Sequence, residues 1–512
     1  MPTTAQMLRE HTPKLIEIIA ELRSTDLDPG IPVGQAAPIL ADSITSPASV
    51  ANVLEELAEE YPDTIAALQQ LKGANGEIPE YQFVRSHGPL QIPGDANLTE
   101  SEAWLHPSSV SEVLYFHALI GRYFSGSGRE AASKIYIPTD ILQLIPEPEG
   151  DEDEKGLDIE PARPPATEQI LDTTDYLLSD LLSYLAVLFQ NAWRLRDGMP
   201  RPEDIKRLKE RLLVMPDTDL LVVRLEFLCH LAAEMGLVED GRTEAGQAIR
   251  TLHGNNVHRF LMLDRAAQRR ALWDTWFRSG TWSDLRHVPI LDCRNLERWG
   301  APAHAAGTRG NFGQALATLP LTQWFRLSDV VEAVHRFNPD FQRTTGDYDS
   351  WYVWHKEKDA FVGGFDNWRL VEGELARFLL EGPLLWLDAV RLADNRGGPP
   401  ILTLTREGAV WLGRDLELLP VSARPRVTVH PNFRLEVPVA MDLHARFRVE
   451  RFANWVRTDQ VYRYQINQRS LDRAFGAGLT ATQIVEALRA MTNDLPGTIT
   501  NGIRRYEDRK GR

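Results

Sequence analysis

Two cysteines in 512 residues, Cys229 and Cys293, cannot build a disulfide framework, and no Cys/His spacing typical of a zinc site surrounds them. Cys229 lies in an apolar helical run and reads as a small buried hydrophobe. No Gly-Lys dipeptide occurs anywhere, so the Gly-x-x-x-x-Gly-Lys-Ser/Thr phosphate cradle is missing and a P-loop motor is excluded. His-Glu-x-x-His and Gly-x-Ser-x-Gly are missing too. The thirteen histidines are scattered; His258, His287, His304, His335 and His430 stand at no ligand spacing and read as surface or core residues. No apolar run reaches the roughly 18 residues of a membrane span. The N-terminus lacks a basic region followed by an apolar one, so no secretory signal is expected. These features predict a cytoplasmic protein with no membrane partner, no metal and no cofactor.

What is present is large and unevenly charged. The length predicts several domains rather than one core. The net charge is -16, which opposes non-specific nucleic-acid binding by the chain as a whole. Residues 421–512 nevertheless carry 16 Lys+Arg against 9 Asp+Glu, or +7, which leaves -23 on the remainder. The basic end is either a surface for a polyanion or a set of solvated arginines.

The patterning predicts a mainly α protein with small β elements. Residues 1–145 read as a helical bundle followed by a winged-helix-like module. Ser46-Pro47 is a helix start and Gly73 a helix end. Ser109 to Glu112 opens a further helix, and two strands flank the turn Ser125-Gly-Ser-Gly128 as a wing. Residues 146–167, acidic and Pro-rich, read as a linker; Asp151-Glu-Asp-Glu154 is taken as linker charge rather than an ATPase acidic box. Residues 168–290 read as a helical, winged-helix-like domain, its first helix running to about Leu195. Residues 291–420 form a Trp-rich region ending in another winged-helix-like module, with an apolar helix predicted through Leu392. A weak repeat places Thr-x-x-Gly after a helix and a turn at Thr243 and at Thr405, with each Thr predicted to cap a helix. Ten of thirteen tryptophans lie between Trp273 and Trp411, a density that packing explains more often than base stacking. Residues 286–320 carry no readable pattern.

Residues 421–512 read as a compact α+β module. Two short strands flank Pro431-Asn432, a helix is predicted over Leu443–Val456, and a third strand covers Val461–Ile466. Three helices follow, beginning at Ser470, at Thr480 and after Pro496. Val429-His-Pro-Asn-Phe-Arg-Leu-Glu-Val-Pro438 resembles the opening of the XPB-type helicase N-terminal domain, which also occurs in stand-alone bacterial helicase-associated proteins. Phe452-Ala453, Tyr462-Arg-Tyr-Gln-Ile466, Ser470-Leu471, Ile484-Val485 and Leu495-Pro496 match that pattern in order, and Tyr136–Pro146 is similar to the same stand-alone proteins more loosely. The sequence departs from the pattern at Gly497 and at its last residues, where a final strand is replaced by Glu507-Asp-Arg-Lys-Gly. The resemblance implies a link to DNA transactions and to a helicase or nuclease partner, without helicase activity and without catalytic residues to transfer.

The leading expectation is therefore a non-catalytic DNA-associated protein in repair, transcription or defence. Phosphate contacts would come from Arg446, Arg448, Arg451, Arg457, Arg463, Arg469, Arg473, Arg504 and Arg505. A protein–protein scaffold without nucleic-acid binding is the alternative. An enzyme whose groups are distant in sequence is the third reading, because catalytic sites are defined by geometry.

Overall fold

The computed structural model describes residues 1–28, 30–92, 94–95, 98, 100, 102–125, 132–147, 156–196, 199–213, 220–293, 305–344, 346, 348, 351, 353–395, 398–418 and 425–510. They are mainly helical, with small antiparallel sheets. No helix among them is long and apolar enough to cross a membrane. The chain divides into two compact units, Met1–Lys155 with Arg343–Asp347, and Gly156–Gln342 with Tyr348–Arg512.

The first unit begins with helices Thr4–Arg9, Pro13–Leu22, Val33–Ile44, Pro47–Glu60 and Asp63–Gly73. Ser46 caps the fourth by accepting from Ser49 N, with Pro47 at the first helical position. Their apolar stripes meet around Arg23, whose guanidinium donates to the carbonyls of His117 and Ile44 at 3.0 and 2.9 Å. Burial depresses its pKa to about 10. Helix Val110–Phe116 leads into strands Gly121–Ser125 and Ala132–Tyr136, with Glu77–Pro79 on the other side of the latter. Phe124, on the hairpin, is 75 % exposed. The tip, Gly126 to Ala131, lies outside the described residues, as does the acidic run Asp151–Glu154.

The second unit has a core that runs without a break from Leu157 to Trp411 and reaches Leu443. At its centre is helix Tyr176–Gln190, whose one exposed residue is the penultimate Phe189. Helices Leu221–Glu234, Arg265–Arg278, Ala305–Ala317 and Trp368–Glu381 pack into this core. The last part, from Val427, forms a four-stranded sheet in the order Thr428–Val429, Arg434–Pro438, Val461–Gln465, Asn454–Thr458. Helices Leu443–Phe452, Gln468–Gly476, Ala481–Met491 and Gly497–Lys510 accompany it. Thr480 and Gln483 form the capping box that the sequence predicts.

Several expectations are corrected. The central helix stops at Gln190, and Trp193–Arg196 is a strand whose alternate residues Trp193 and Leu195 are buried. That period of two is short enough to be hidden by the helical pattern before it. The helix expected to reach Leu392 ends at Trp386; Asp388 takes φ of 60°, and Val390–Ala393 pairs with Ile401–Leu404. In the last module the helix ends at Phe452, and Asn454–Thr458 supplies a fourth strand that the sequence reading lacks. The chain's last described element is the helix Gly497–Lys510, which agrees with the helix expected after Pro496. The segment read as linker up to residue 167 is in part packed: Leu157 joins the core and Ala162 N donates to the Trp324 carbonyl. Of the unpatterned stretch, residues 305–317 are helix, and 294–304, including His304, lie outside the described residues.

The two Thr-x-x-Gly copies do different work. Thr405 caps helix Arg406–Trp411, accepting from Gly408 N at 2.9 Å. Thr243 caps nothing helical; it closes the turn between strands Val238–Arg242 and Ala248–Leu252, where Gly246 has φ of 78°. A Cβ on Gly408 would stand 2.2 Å from the Ala389 carbonyl oxygen, whereas one on Gly246 meets nothing within 4 Å. Gly408→Ala therefore costs about 1–3 kcal/mol by overpacking, and Gly246→Ala about 1–2 kcal/mol by left-handed strain. Denaturation midpoints check this: asparagine, tolerated at positive φ, restores most of the loss at 246 and none at 408.

Candidate nucleic-acid interface

Helix Leu443–Phe452 divides the predicted arginines between two faces. Asp442 caps it by accepting from Ala445 N at 2.8 Å. Arg446 and Glu450, one turn apart, point into the unit and are 1 % and 0 % exposed. Arg446 donates to the Ser179 carbonyl (2.9 Å), Ser183 Oγ (2.6 Å) and Tyr464 OH (3.1 Å), and its guanidinium lies over the Tyr462 ring. Glu450 accepts from Tyr464 OH (2.8 Å) and Gln190 Nε2 (3.0 Å) and pairs with Arg211 at 3.3 Å. Arg473 donates to Asn454 Oδ1 and to the carbonyls of Glu450 and Ala453. Arg446 is thus a buried strut rather than a phosphate contact, and the bonds of Arg473 are spent on the helix end. Sequence spacing cannot separate these two from their neighbours; the i, i+4 pairing with Glu450 is the one signal available.

The solvent face of the sheet bears a concavity of about 540 Å³, lined by Arg434, Glu436, Val456, Arg457, Arg463 and Gln465 among others. Two of its three arginines are compensated. Arg463 pairs with Glu436 (3.2 Å) and Asp459 (2.9 Å), and Arg457 with Asp459 (3.1 Å).

The outward face of the helix differs. His444, Phe447, Arg448 and Arg451 follow one another at helical spacing. No carboxylate among the described residues stands within ion-pair distance of Arg448 or Arg451; Arg469, Arg504 and Arg505 are likewise uncompensated but exposed on other helices. Burial lowers the pKa of His444, with Asp442 opposing and Arg448, His258 and Arg451 adding to the shift. The His444 and His258 rings lie 6.4 Å apart.

A second buried charge cluster was not predicted. Arg265 pairs with Asp175 at 2.7 Å and donates to the Met441 carbonyl at 2.5 Å. Arg269 stands 3.4 Å from both Asp388 and Glu407. Burial raises the Asp388 pKa to about 7, with the Asp175 charge adding to the rise and Arg269 and the Asp175 N–H opposing it. The five groups come from Asp175, helix Arg265–Arg278, the loop before Val390 and helix Arg406–Trp411, which are too far apart in sequence for any motif.

Most of the described tryptophans pack, as their density predicts, while Trp299 lies outside the described residues. Trp276 and Trp282 both donate through Nε1 to Asp284 Oδ1 at 3.0 Å. Asp284 Oδ2 receives Arg309 Nε at 2.6 Å, and Arg309 is fully buried. His287 stacks on Trp282 at 3.7 Å. Cys293 is the buried cysteine and Cys229 is only partly covered. Among the described residues no three His, Cys, Asp or Glu side chains gather as metal ligands.

Residues 427–512 match the family model described as the helicase conserved C-terminal domain. No curated protein matches the chain. The matched segment is the four-stranded module that carries Arg448 and Arg451, so this part of the chain is helicase-related.

Glu450→Ala leaves Arg211 and Tyr464 without their buried partner and lowers stability by about 3–5 kcal/mol, read from urea denaturation. Asp388 has a folded pKa above its ordinary value, so its stabilising contribution is whole near pH 4 and is lost as pH rises to about 7. Asp388→Asn removes that loss. The variant should gain stability relative to the parent between pH 4 and 7, and a pH-independent difference between the two sinks the assignment.

Proposed function

We propose that this chain is a non-catalytic, nucleic-acid-associated protein that works beside a helicase or nuclease subunit. The observation that carries the reading is the helicase-type domain at residues 427–512 with Arg448 and Arg451 uncompensated on one helix face. Two unpaired guanidinium groups on an otherwise acidic chain give a local site for phosphate, where electrostatic attraction is not cancelled at short range. The missing phosphate cradle supports action without nucleotide turnover. Within this reading the domain is of the XPB N-terminal type, in a protein without motor lobes. The hairpins Gly121–Ser125/Ala132–Tyr136, Val238–Arg242/Ala248–Leu252 and Val390–Ala393/Ile401–Leu404 are wings of winged-helix modules, each following a helix. A scaffold without nucleic-acid contact is the second reading, favoured by the net charge of -16 and by the internal use of Arg446 and Arg473.

Electrophoretic titration of the whole chain with labelled DNA separates the two. Binding at about 50 mM salt that weakens linearly with the logarithm of salt concentration is expected. No binding to duplex or single strand leaves the scaffold reading in its place.

A further inference from the structure

Two concavities of the second unit share a wall. The smaller, about 150 Å³, lies between helices Leu443–Phe452 and Ala481–Met491 and is lined by Arg448, Arg451 and Gln483. The larger, about 790 Å³, is lined by Arg448 again, with Arg426, His444, Met441, Ala490 and Met491. Arg448 lines both, so the two adjoin at that side chain and are taken together as a trough. The far wall of the larger part comes from outside the helicase-type module: Asp264, Arg265 and Ala266, at the start of helix Arg265–Arg278. Arg265 staples the walls together through Asp175 and the Met441 carbonyl.

The chemistry along the trough is graded. One end holds Arg451 and Arg448, neither with a carboxylate partner among the described residues. The floor beyond is apolar, with Met441, Ala440, Ala445, Ala490 and Met491. Arg426, which donates to the Ala490 carbonyl at 2.7 Å, stands at its side. The acidic groups there are occupied. Asp442 and Asp264 accept from the N–H groups of Ala445 and Ala267 at their helix starts, and Asp175 is held by Arg265.

Resting on the function proposed above, we propose that this trough is the binding track for single-stranded nucleic acid. Phosphates lie against Arg448 and Arg451, and bases lie on the accessible apolar floor of Ala440, Ala445 and Ala490. A single strand presents phosphates and apolar base faces side by side, whereas a duplex hides its base faces in the stack. The sheet face offers a comparable concavity, but Glu436 and Asp459 already occupy Arg457 and Arg463, which leaves Arg434 as its one arginine without a carboxylate partner among the described residues. Because one wall lies at residues 264–266, the module alone holds only part of the track.

The test is fluorescence anisotropy of the full chain with labelled oligo(dT) of about 20 nucleotides, longer than the usual site sizes, and with a duplex of the same length. Arg448→Glu with Arg451→Glu should weaken oligo(dT) binding at least about tenfold and reduce the salt slope by about 0.7 per lost phosphate contact. Ala490→Trp fills the floor from an exposed position; it should weaken binding while leaving the salt slope unchanged. Arg457→Glu with Arg463→Glu, on the sheet face, should change affinity by less than about threefold. Thermal unfolding midpoints equal to the parent's establish that each variant is folded. Retained binding in the trough variants, an equal loss in the sheet-face variant, or tighter binding of the duplex overturns the track while leaving nucleic-acid association standing. No binding to either probe overturns the function and the track together.

Discussion

The second unit depends on burying a guanidinium. Arg446 carries a full charge into a space lined by the Tyr176–Gln190 helix, Tyr462 and Tyr464. Desolvating it costs several kcal/mol, which only a complete set of partners offsets. The partners are supplied from both sides: Ser179 and Ser183 from the helix, Tyr464 from the sheet, and Glu450 through Tyr464. Glu450 in turn draws in Gln190 and Arg211, and the Arg211 carbonyl receives Thr458 Oγ1. The network therefore specifies one seating of the sheet module on the central helix, because any other leaves a charge unpaired in a low-dielectric interior.

That seating creates the functional surface. With Arg446 and Glu450 facing inward, helical geometry turns His444, Arg448 and Arg451 outward. The same docking brings Met441 beside Arg265, so the outward face meets a wall from a distant part of the chain. The helicase-type domain thus has its own apolar core yet belongs to the second compact unit, joined to the central helix by buried polar contacts. The buried acids Asp175 and Asp388, held by Arg265 and Arg269, sit next to that wall.

Much of the fold was legible because it is local. Ser46-Pro47, Thr480 with Gln483, and the apolar stripes of the first helices each carry their signal within a few residues. Three of the errors share a form: short strands that follow a helical pattern. Trp193–Arg196, Val390–Ala393 and Asn454–Thr458 are four or five residues each, and their period is masked by the helix before them. What makes them strands is a partner elsewhere, at Ala248–Leu252, Ile401–Leu404 and Val461–Gln465.

By itself the sequence determined the mainly helical class, the charge asymmetry, the want of a phosphate cradle and the helicase-like signature of residues 427–512. Each of these is a sum over residues or a pattern in one stretch. Only the tertiary structure decided which arginines are free. Arg446 and Arg448 are two positions apart and chemically identical, yet one is a buried strut and the other lines a trough. The difference lies in Ser179, Ser183, Asp264 and Arg265, residues some two hundred positions away whose proximity no local pattern encodes.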